Sequence, residues 1–251
     1  MGNSLIGGLL RSGWLEPGEI NITECLEERR RELSARFPGV QVTCDPVAAQ
    51  AAVLAVKPVD AEAAARSLAS VKVPKVLSIM AGVPIARIES FLPAGTAVLR
   101  AMPNLPAVLG AAASALAGGA SASEDDYAWA EAVLSSFGVV ARVKESDLDA
   151  VTGLSGSGPA YVFLLAEAMI EAGVAEGLDR NVSALLVTQT LLGAARMLVE
   201  SGEAPATLRA ATSSPAGTTL AGLQVLERQA VRAALMDAVK AAAERSRELG
   251  R

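Results

Sequence analysis

Two patterns meet near residue 145 and leave few folds open. From residue 20 to 143 short apolar runs alternate with helical stretches. From residue 146 to 249 helix follows helix and no strand signal recurs. The runs at 20–23, 40–43, 52–56, 76–79, 97–101 and 139–143 are short and mostly apolar, and the central ones lack a polar face. Such strands, separated by helices, form a parallel sheet covered on both sides. The spacing predicts helices over 1–14, 25–37, 60–68, 84–91 and 123–137. The first carries Leu5, Ile6, Leu9 and Leu10 on one face with Gly13 as its stop. The last is capped by Ser123 ahead of Glu124, Asp125 and Asp126. The expected fold is therefore α/β. A Rossmann-like dinucleotide-binding domain occupies residues 1–145 and an all-α domain residues 146–251, divided by a change of pattern rather than a flexible linker.

Composition excludes several functions. The 251 residues are 51% apolar, enough to fill a core, but only 3% aromatic, and the net charge is −5. A chain so poor in rings and positive charge is not expected to bind nucleic acid. No run of 18 uninterrupted apolar residues occurs. The longest candidate, 105–120, is rich in Ala and Gly and contains Pro106, so no membrane span is expected. The opening MGNSLIGGLL has neither a basic leader nor a cleavage pattern, and Ile6 stands where myristoylation requires Ser or Thr; a cytoplasmic protein is expected. Cys25 and Cys44 form neither a disulfide framework nor a metal-ligand spacing, and the sequons at Asn21 and Asn181 are chance matches in that setting. The absence of histidine excludes Ser-His-Asp and Cys-His catalysis, and no metal site is expected.

One stretch has helix-start chemistry. In 211–227, ATSSPAGTTLAGLQVLE, two serines precede Pro215, and Ala216-Gly217-Thr218-Thr219 leads into an apolar run. Proline presets φ for a turn or a first helical position. Gly217 lets the backbone approach a ligand closely. A helix N-terminus combines unpaired donors with a positive dipole end, so its natural guest is a carboxylate or phosphate. The alternative is an ordinary capping turn. A second segment, capped by Asp179, carries Val182, Leu185, Leu186, Val187, Leu191, Leu192, Ala194, Ala195 and Met197 with almost no polar face. Such a helix must be buried, either in the core of its own small domain or under a second subunit.

SSPAGTT followed by LAGLQVLE resembles the signature of the pyrroline-5-carboxylate reductases. AVKP at 55–58, LRAMPNLPAVLG at 99–110 and VTGLSGSGPAYVF at 151–163 resemble that family in the same order, so the resemblance covers essentially the whole chain. It implies reduction of 1-pyrroline-5-carboxylate to L-proline by hydride transfer from NAD(P)H, the last step of proline biosynthesis. NADPH is the expected cofactor and NADH the alternative. It also implies a homodimer joined through intertwined helical domains, which in such enzymes often builds a decamer of five dimers.

Carried over position by position, the resemblance assigns the substrate carboxylate to Ser214 and the backbone amides of Gly217 and Thr218. It assigns Thr219 as the hydroxyl that donates to the ring nitrogen. Ala216 stands where many members have glycine, and its methyl is expected to require a negative φ. Gln224 replaces a common histidine, and Leu105 replaces the threonine of MPNTP; neither is assigned chemistry. The cofactor is expected against Gly2 and Asn3, against Ala55, Val56, Lys57 and Pro58, and against Ala81, Gly82, Met102, Pro103 and Asn104. Gly2 matches the third glycine of the dinucleotide fingerprint, the one that packs helix on sheet. The first strand and the first two glycines are not in this sequence, so a gap in the sheet and weak NADPH binding are expected of the chain as written. A non-catalytic dimeric remnant, or a reductase of another small cyclic imine, are the alternative functions. Related two-domain dehydrogenases carry a catalytic Lys or His in the helical domain; residues 146–239 contain neither.

Three features have more than one reading. Glu24 could hold the ribose of NAD, or Arg29, Arg30 and Arg31 the 2′-phosphate of NADP, or all could belong to a solvated helix face. The run 155–160, SGSGPA, is either a kinked capping turn or a thin stretch of helix that passes close to the nicotinamide. Glu167 and Glu171 are expected on a helix surface or interface rather than in a paired-carboxylate site.

Overall fold

The computed structural model describes residues 1–250. It consists of two compact units, residues 1–157 joined by the chain from Lys240 onward, and Gly158–Val239. The pattern change at 145 marks where strands stop. The packing divides later because Leu148, beyond that point, is buried with Val76, Val98 and Ala115 under the sheet.

In the first unit, α1 (Gly2–Arg11) buries Leu5 and Leu9. β1 (Asn21–Thr23) and β2 (Gln41–Thr43) form a parallel pair, and α2 (Glu27–Arg36) covers it through Leu33 and Phe37. A separate sheet follows in the order β3 (Ala52–Leu54), β4 (Lys75–Ser78), β5 (Ala97–Met102), β6 (Ala112–Gly118), β7 (Gly138–Arg142). Alternate residues face opposite layers. Leu77, Leu99 and Leu116 pack with Leu5, Leu9 and Phe137 and with Leu134 of α5 (Glu124–Ser135). Val76, Val98 and Ala115 pack with Ala61 and Ala65 of α3 (Ala61–Ala69) and Ile85 and Ile88 of α4 (Ile85–Glu89). Each fully buried aliphatic side chain contributes about 1.5–3 kcal/mol, which makes this double-faced sheet the main store of stability in the unit.

One feature departs from the uniform parallel sheet expected. β6 runs antiparallel to β5. Only residues 103–111 connect them, through a 3₁₀ turn at Leu105–Leu109 and Gly110 at φ 74°, too short for the crossover that a parallel neighbour requires. The strand was hidden in an Ala-rich run of low β-propensity. The expected gap is also present. Among the described residues β1 pairs only with β2, and β3 only with β4.

The chain continues through α6 (Leu148–Val151) and a π-helical turn at Thr152–Gly156. The second unit contains α7 (Gly158–Ala175), α8 (Arg180–Ser201), α9 (Pro205–Ala211), α10 (Thr218–Arg228) and the start of α11 (Val231–Leu249). Asp179 caps α8 as expected, its Oδ1 accepting from the Asn181 amide at 2.8 Å and the Val182 amide at 3.3 Å. Burial differs sharply from a core helix. Only Ser183 and Val187 of α8 are buried, whereas Leu185 is 70% exposed and Val199 83%. The chain's own helices therefore do not cover α8. Two helical stretches, Glu145–Ala175 and Arg180–Ser201, are long and apolar enough to cross a membrane by length and composition.

Candidate active site

The turn singled out in the sequence lies between α9 and α10. Thr212 Oγ1 and Ser213 Oγ donate to the Arg209 carbonyl at 2.9 and 2.8 Å, so these hydroxyls close the end of α9. The next residues form a tight turn in which the Gly217 amide donates to the Ser214 carbonyl at 3.0 Å. Ala216 occupies φ +54°. This corrects the expectation that alanine would demand a negative φ here: the left-handed turn is kept and the methyl tolerated. Gly217 caps α10 in extended conformation, and a methyl on it would overlap Ser214 Oγ. No side chain caps α10. The amides of its first turn therefore point outward beside the exposed Ser214, Thr218 and Thr219. Glu227, further along α10, pairs with Arg232 Nη2 at 2.5 Å and lies 3.7 Å from Arg209 Nη1. The Arg232 hydrogen bond holds its carboxyl below the usual carboxylate range.

In the first unit, the remaining candidates gather at the carboxyl edge of the sheet, where open α/β sheets bind ligands. α1 begins here. A methyl on Gly2 would stand 3.4 Å from Ala55 Cβ, just past the end of β3. That is ordinary contact, so Gly2 is not the closely packed glycine of the helix. Gly8 has that role, with a would-be methyl 3.0 Å from both Phe137 Cβ and the Ser136 carbonyl. No side chain caps α1, and the Ser4 and Leu5 amides bond to the Met1 carbonyl. The amides of Gly2 and Asn3 thus lie ahead of the first helical acceptor. Val56 and Lys57 follow in the loop, and Pro58 starts a 3₁₀ turn, Pro58–Asp60. After β4 the chain turns through Ala81 and Gly82, the latter at φ +73°.

After β5 come Met102, Pro103 and Asn104. Asn104 is 8% exposed and is held at both ends of its amide. Nδ2 donates to the Ser155 carbonyl at 2.9 Å, and Oδ1 accepts from the Ala113 amide at 2.9 Å. Its side chain therefore fastens the loop to the π turn and to β6. The SGSGPA stretch ends a π turn, Thr152–Gly156, and opens α7 at Gly158. The turn is closed by the Ser157 amide on the Thr152 carbonyl at 2.8 Å, with Gly156 set against Met102 Cε. Such turns are frequent at functional sites. The free amides at a helix start, beside loops at one sheet edge, suit the pyrophosphate and flat rings of a dinucleotide.

The charged candidates separate. Arg29 and Arg31 pair with Glu32 and Glu27 on the exposed face of α2. Arg30 folds back over the end of β1, donating to the carbonyls of Glu24 at 2.9 Å and Cys25 at 2.7 Å. Glu24 Oε1 accepts from the Leu26 amide at 3.0 Å. Glu167 and Glu171 are both exposed on α7. One cluster, partly buried around Arg100, went unread in the sequence. Glu145 Oε1 accepts from the Ile85 amide at 2.7 Å and from Arg100 Nη1 at 3.2 Å. An arginine inside an otherwise apolar strand was the signal that could have found it.

Comparison with known proteins identifies the family of the chain. Residues 145–249 match the family model for pyrroline-5-carboxylate reductase dimerisation, and residues 1–82 match that for coenzyme F420-dependent NADP oxidoreductase. A pyrroline-5-carboxylate reductase of Methanosarcina acetivorans is 40% identical over 100% of this chain and 95% of its own length. One from Synechocystis is 41% identical with the same coverage. Among solved structures, a pyrroline-5-carboxylate reductase from Coxiella burnetii superimposes with a TM-score of 0.93 at 33% identity, covering 100% of this chain and 95% of the other. A pyrroline carboxylate reductase of Plasmodium falciparum with NADP bound gives 0.87 at 27% identity, also over 100% of this chain and 95% of the other. With near-complete coverage at such identity, and a Rossmann-like unit carried on the same chain as the helical dimerisation segment, this protein belongs to the pyrroline-5-carboxylate reductase family.

Proposed function

We propose that the chain reduces 1-pyrroline-5-carboxylate to L-proline with NADPH. The observation that carries this reading is the uncapped N-terminus of α10, with Ser214 packed over Gly217 and hydroxyls at Thr218 and Thr219. The substrate needs only an anchor for its carboxylate and a donor at its ring nitrogen. Ser214 and the amides of Gly217 and Thr218 supply the first, a charge-assisted set of hydrogen bonds aided by the helix dipole. Thr219 supplies the second. The imine reacts in its N-protonated form, which already carries the proton of the product amine, and Thr219 donates to the lone pair that develops on nitrogen as the C=N bond becomes a secondary amine. The dinucleotide, when bound, supplies the hydride that adds to the ring carbon; the protein supplies position. No general base has to act at that carbon, so a chain without histidine is adequate.

The cofactor is placed against Gly2 and Asn3 for the pyrophosphate, Ala55–Pro58 for the adenosine half, and Ala81, Gly82, Met102, Pro103 and Asn104 for the nicotinamide half. Asn104 would act there by its backbone, since its side chain is engaged elsewhere. NADPH is preferred to NADH because the match over residues 1–82 is to an NADP oxidoreductase model and because Arg30 lies at the end of β1, where a 2′-phosphate is accommodated. The partner is a second copy of the chain, laid on the apolar surface of α8, and five such dimers would make a decamer. Residues 1–145 and 146–251 are assigned to cofactor and to substrate and dimer contacts. A cytoplasmic location fits this metabolic role.

The test is direct. Purified protein given pyrroline-5-carboxylate and NADPH is expected to form proline with one NADPH consumed per turnover. NADPH consumption without proline, or with another cyclic imine strongly preferred, would overturn the substrate assignment.

A further inference from the structure

The second half of α11, from Lys240 onward, packs as part of the first unit, whereas its first half, Val231–Val239, belongs to the second. Ala243 and Ser246 are its only buried residues, at 5% and 6% exposure. Ser246 Oγ donates to Asp149 Oδ1 at 2.6 Å. Asp149 lies on α6, directly before the π turn that holds Met102 through Gly156 and Asn104 through the Ser155 carbonyl. The end of the same helix reaches a second loop. A methyl on Gly82 would stand 3.6 Å from the Leu249 carbonyl carbon and oxygen. A methyl on Gly250 would stand 3.0 Å from the Gly82 carbonyl oxygen. Two bare backbones thus lie against each other where Gly82 turns at φ +73°.

We propose that the C-terminal end of α11 is a clasp that sets two of the cofactor loops in register. Ser246, Asp149 and Gly250 are its positioning residues. One side of the clasp fixes the turn after β4 through Gly250 on Gly82. The other fixes the α6–π segment, and with it the loop after β5, through Ser246 on Asp149. Neither Ser246 nor Gly250 touches substrate. Their effect is to hold the Ala81–Gly82 and Met102–Asn104 loops at the separation that a nicotinamide ring requires. Small displacements at such a site cost binding and rate steeply.

This inference rests on the cofactor assignment made above, and its test separates the two. The dissociation constant of NADPH is measured by its fluorescence change on the full-length protein, without substrate, alongside thermal unfolding and the KM for pyrroline-5-carboxylate. Ser246→Ala removes one hydrogen bond and is expected to weaken NADPH binding about 3- to 10-fold. Gly250→Ala forces the Gly82 carbonyl to move and is expected to weaken it by a similar factor. Asp149→Asn keeps an acceptor for the serine hydroxyl and is expected to stay within about twofold of wild type. The KM for the imine stays unchanged in all three. Wild-type protein that does not bind NADPH would sink the cofactor assignment itself. Wild-type binding with unaltered affinity in both Ser246→Ala and Gly250→Ala would overturn the clasp. So would a lowered melting temperature with unaltered affinity, which is what a merely structural contact predicts.

Discussion

Ala216 offers a prediction whose sign alone decides it. The residue sits at φ +54° in the turn before α10, a conformation that costs a non-glycine residue about 1–2 kcal/mol. Ala216→Gly removes that cost and gives back about 0.4–1 kcal/mol through the greater freedom of glycine in the unfolded chain. The difference leaves the variant more stable by about 0.5–1 kcal/mol. For a chain of this size that raises the melting temperature by about 1–4 °C. The assay is thermal unfolding followed by circular dichroism, at one protein concentration because the assembly contributes to stability. The KM for the imine should hold or fall, since the turn keeps its shape with less strain. Ala216→Val supplies the opposite arm: a β-branched residue at positive φ is a genuine outlier, so the variant should melt lower and bind the imine less tightly. A lower melting temperature for Ala216→Gly would refute the reasoning, because that is what glycine does at a position with negative φ.

Other consequences follow from the same structure. Leu185→Glu combined with Leu186→Glu puts two charges on the uncovered surface of α8 and should turn a dimer into a monomer on light scattering; an unchanged mass would place the interface elsewhere. Thr219→Ala should lower kcat by about 10-fold, the worth of one good hydrogen bond, with NADPH affinity unaltered. Ser214→Ala should chiefly raise KM for the imine, and a normal KM with a lost kcat would exchange the two roles. The Ser123 hydroxyl and amide, with Lys75, hold the Asp126 carboxyl below its ordinary value. A depressed pKa means stability that is present above the ordinary value of about 3.9 and lost as pH falls through the folded one. The stability gap between wild type and Asp126→Asn in urea should therefore close below about pH 4; a gap independent of pH would count against the pairing.

Much of the fold was legible because its central strands, β4 and β5, are buried on both faces and read as mainly apolar runs. β1 to β5 fall within a residue or two of the runs that predict them, and Ser123 and Asp179 cap the helices they were expected to cap. β6 was not legible. Its residues, AASALAG, are small, and its direction is set by a short connection rather than by any side chain. The candidate turn at 213–219 was legible as chemistry but not as conformation. Nothing in the sequence distinguishes an alanine at φ −60° from one at +54°. The role of Asn104 was hidden for a different reason. Its two hydrogen bonds reach residues 113 and 155, partners that only the tertiary fold brings together. The same holds for Ser246 and Asp149, 97 positions apart.

The substrate-holding groups assigned here share one property: none of them titrates between pH 5 and 9. Ser214 and Thr219 act through hydroxyls, Gly217 and Thr218 through amides, and the chain contains no histidine. Glu227, the acid on the same helix, is kept ionised by Arg232 and lies beyond the turn rather than in it. A bell-shaped profile in kcat/KM therefore has no source among these groups, and the proton on the imine nitrogen becomes the controlling ionisation. Its pKa belongs to the substrate. The midpoint of the pH–rate curve should then coincide in wild type and Thr219→Ala even though their plateaus differ about tenfold, the factor already expected for that hydrogen bond. A midpoint that moves with Thr219→Ala would instead locate the titrating group on the protein, and the division of labour between hydroxyl and substrate proton would have to be redrawn.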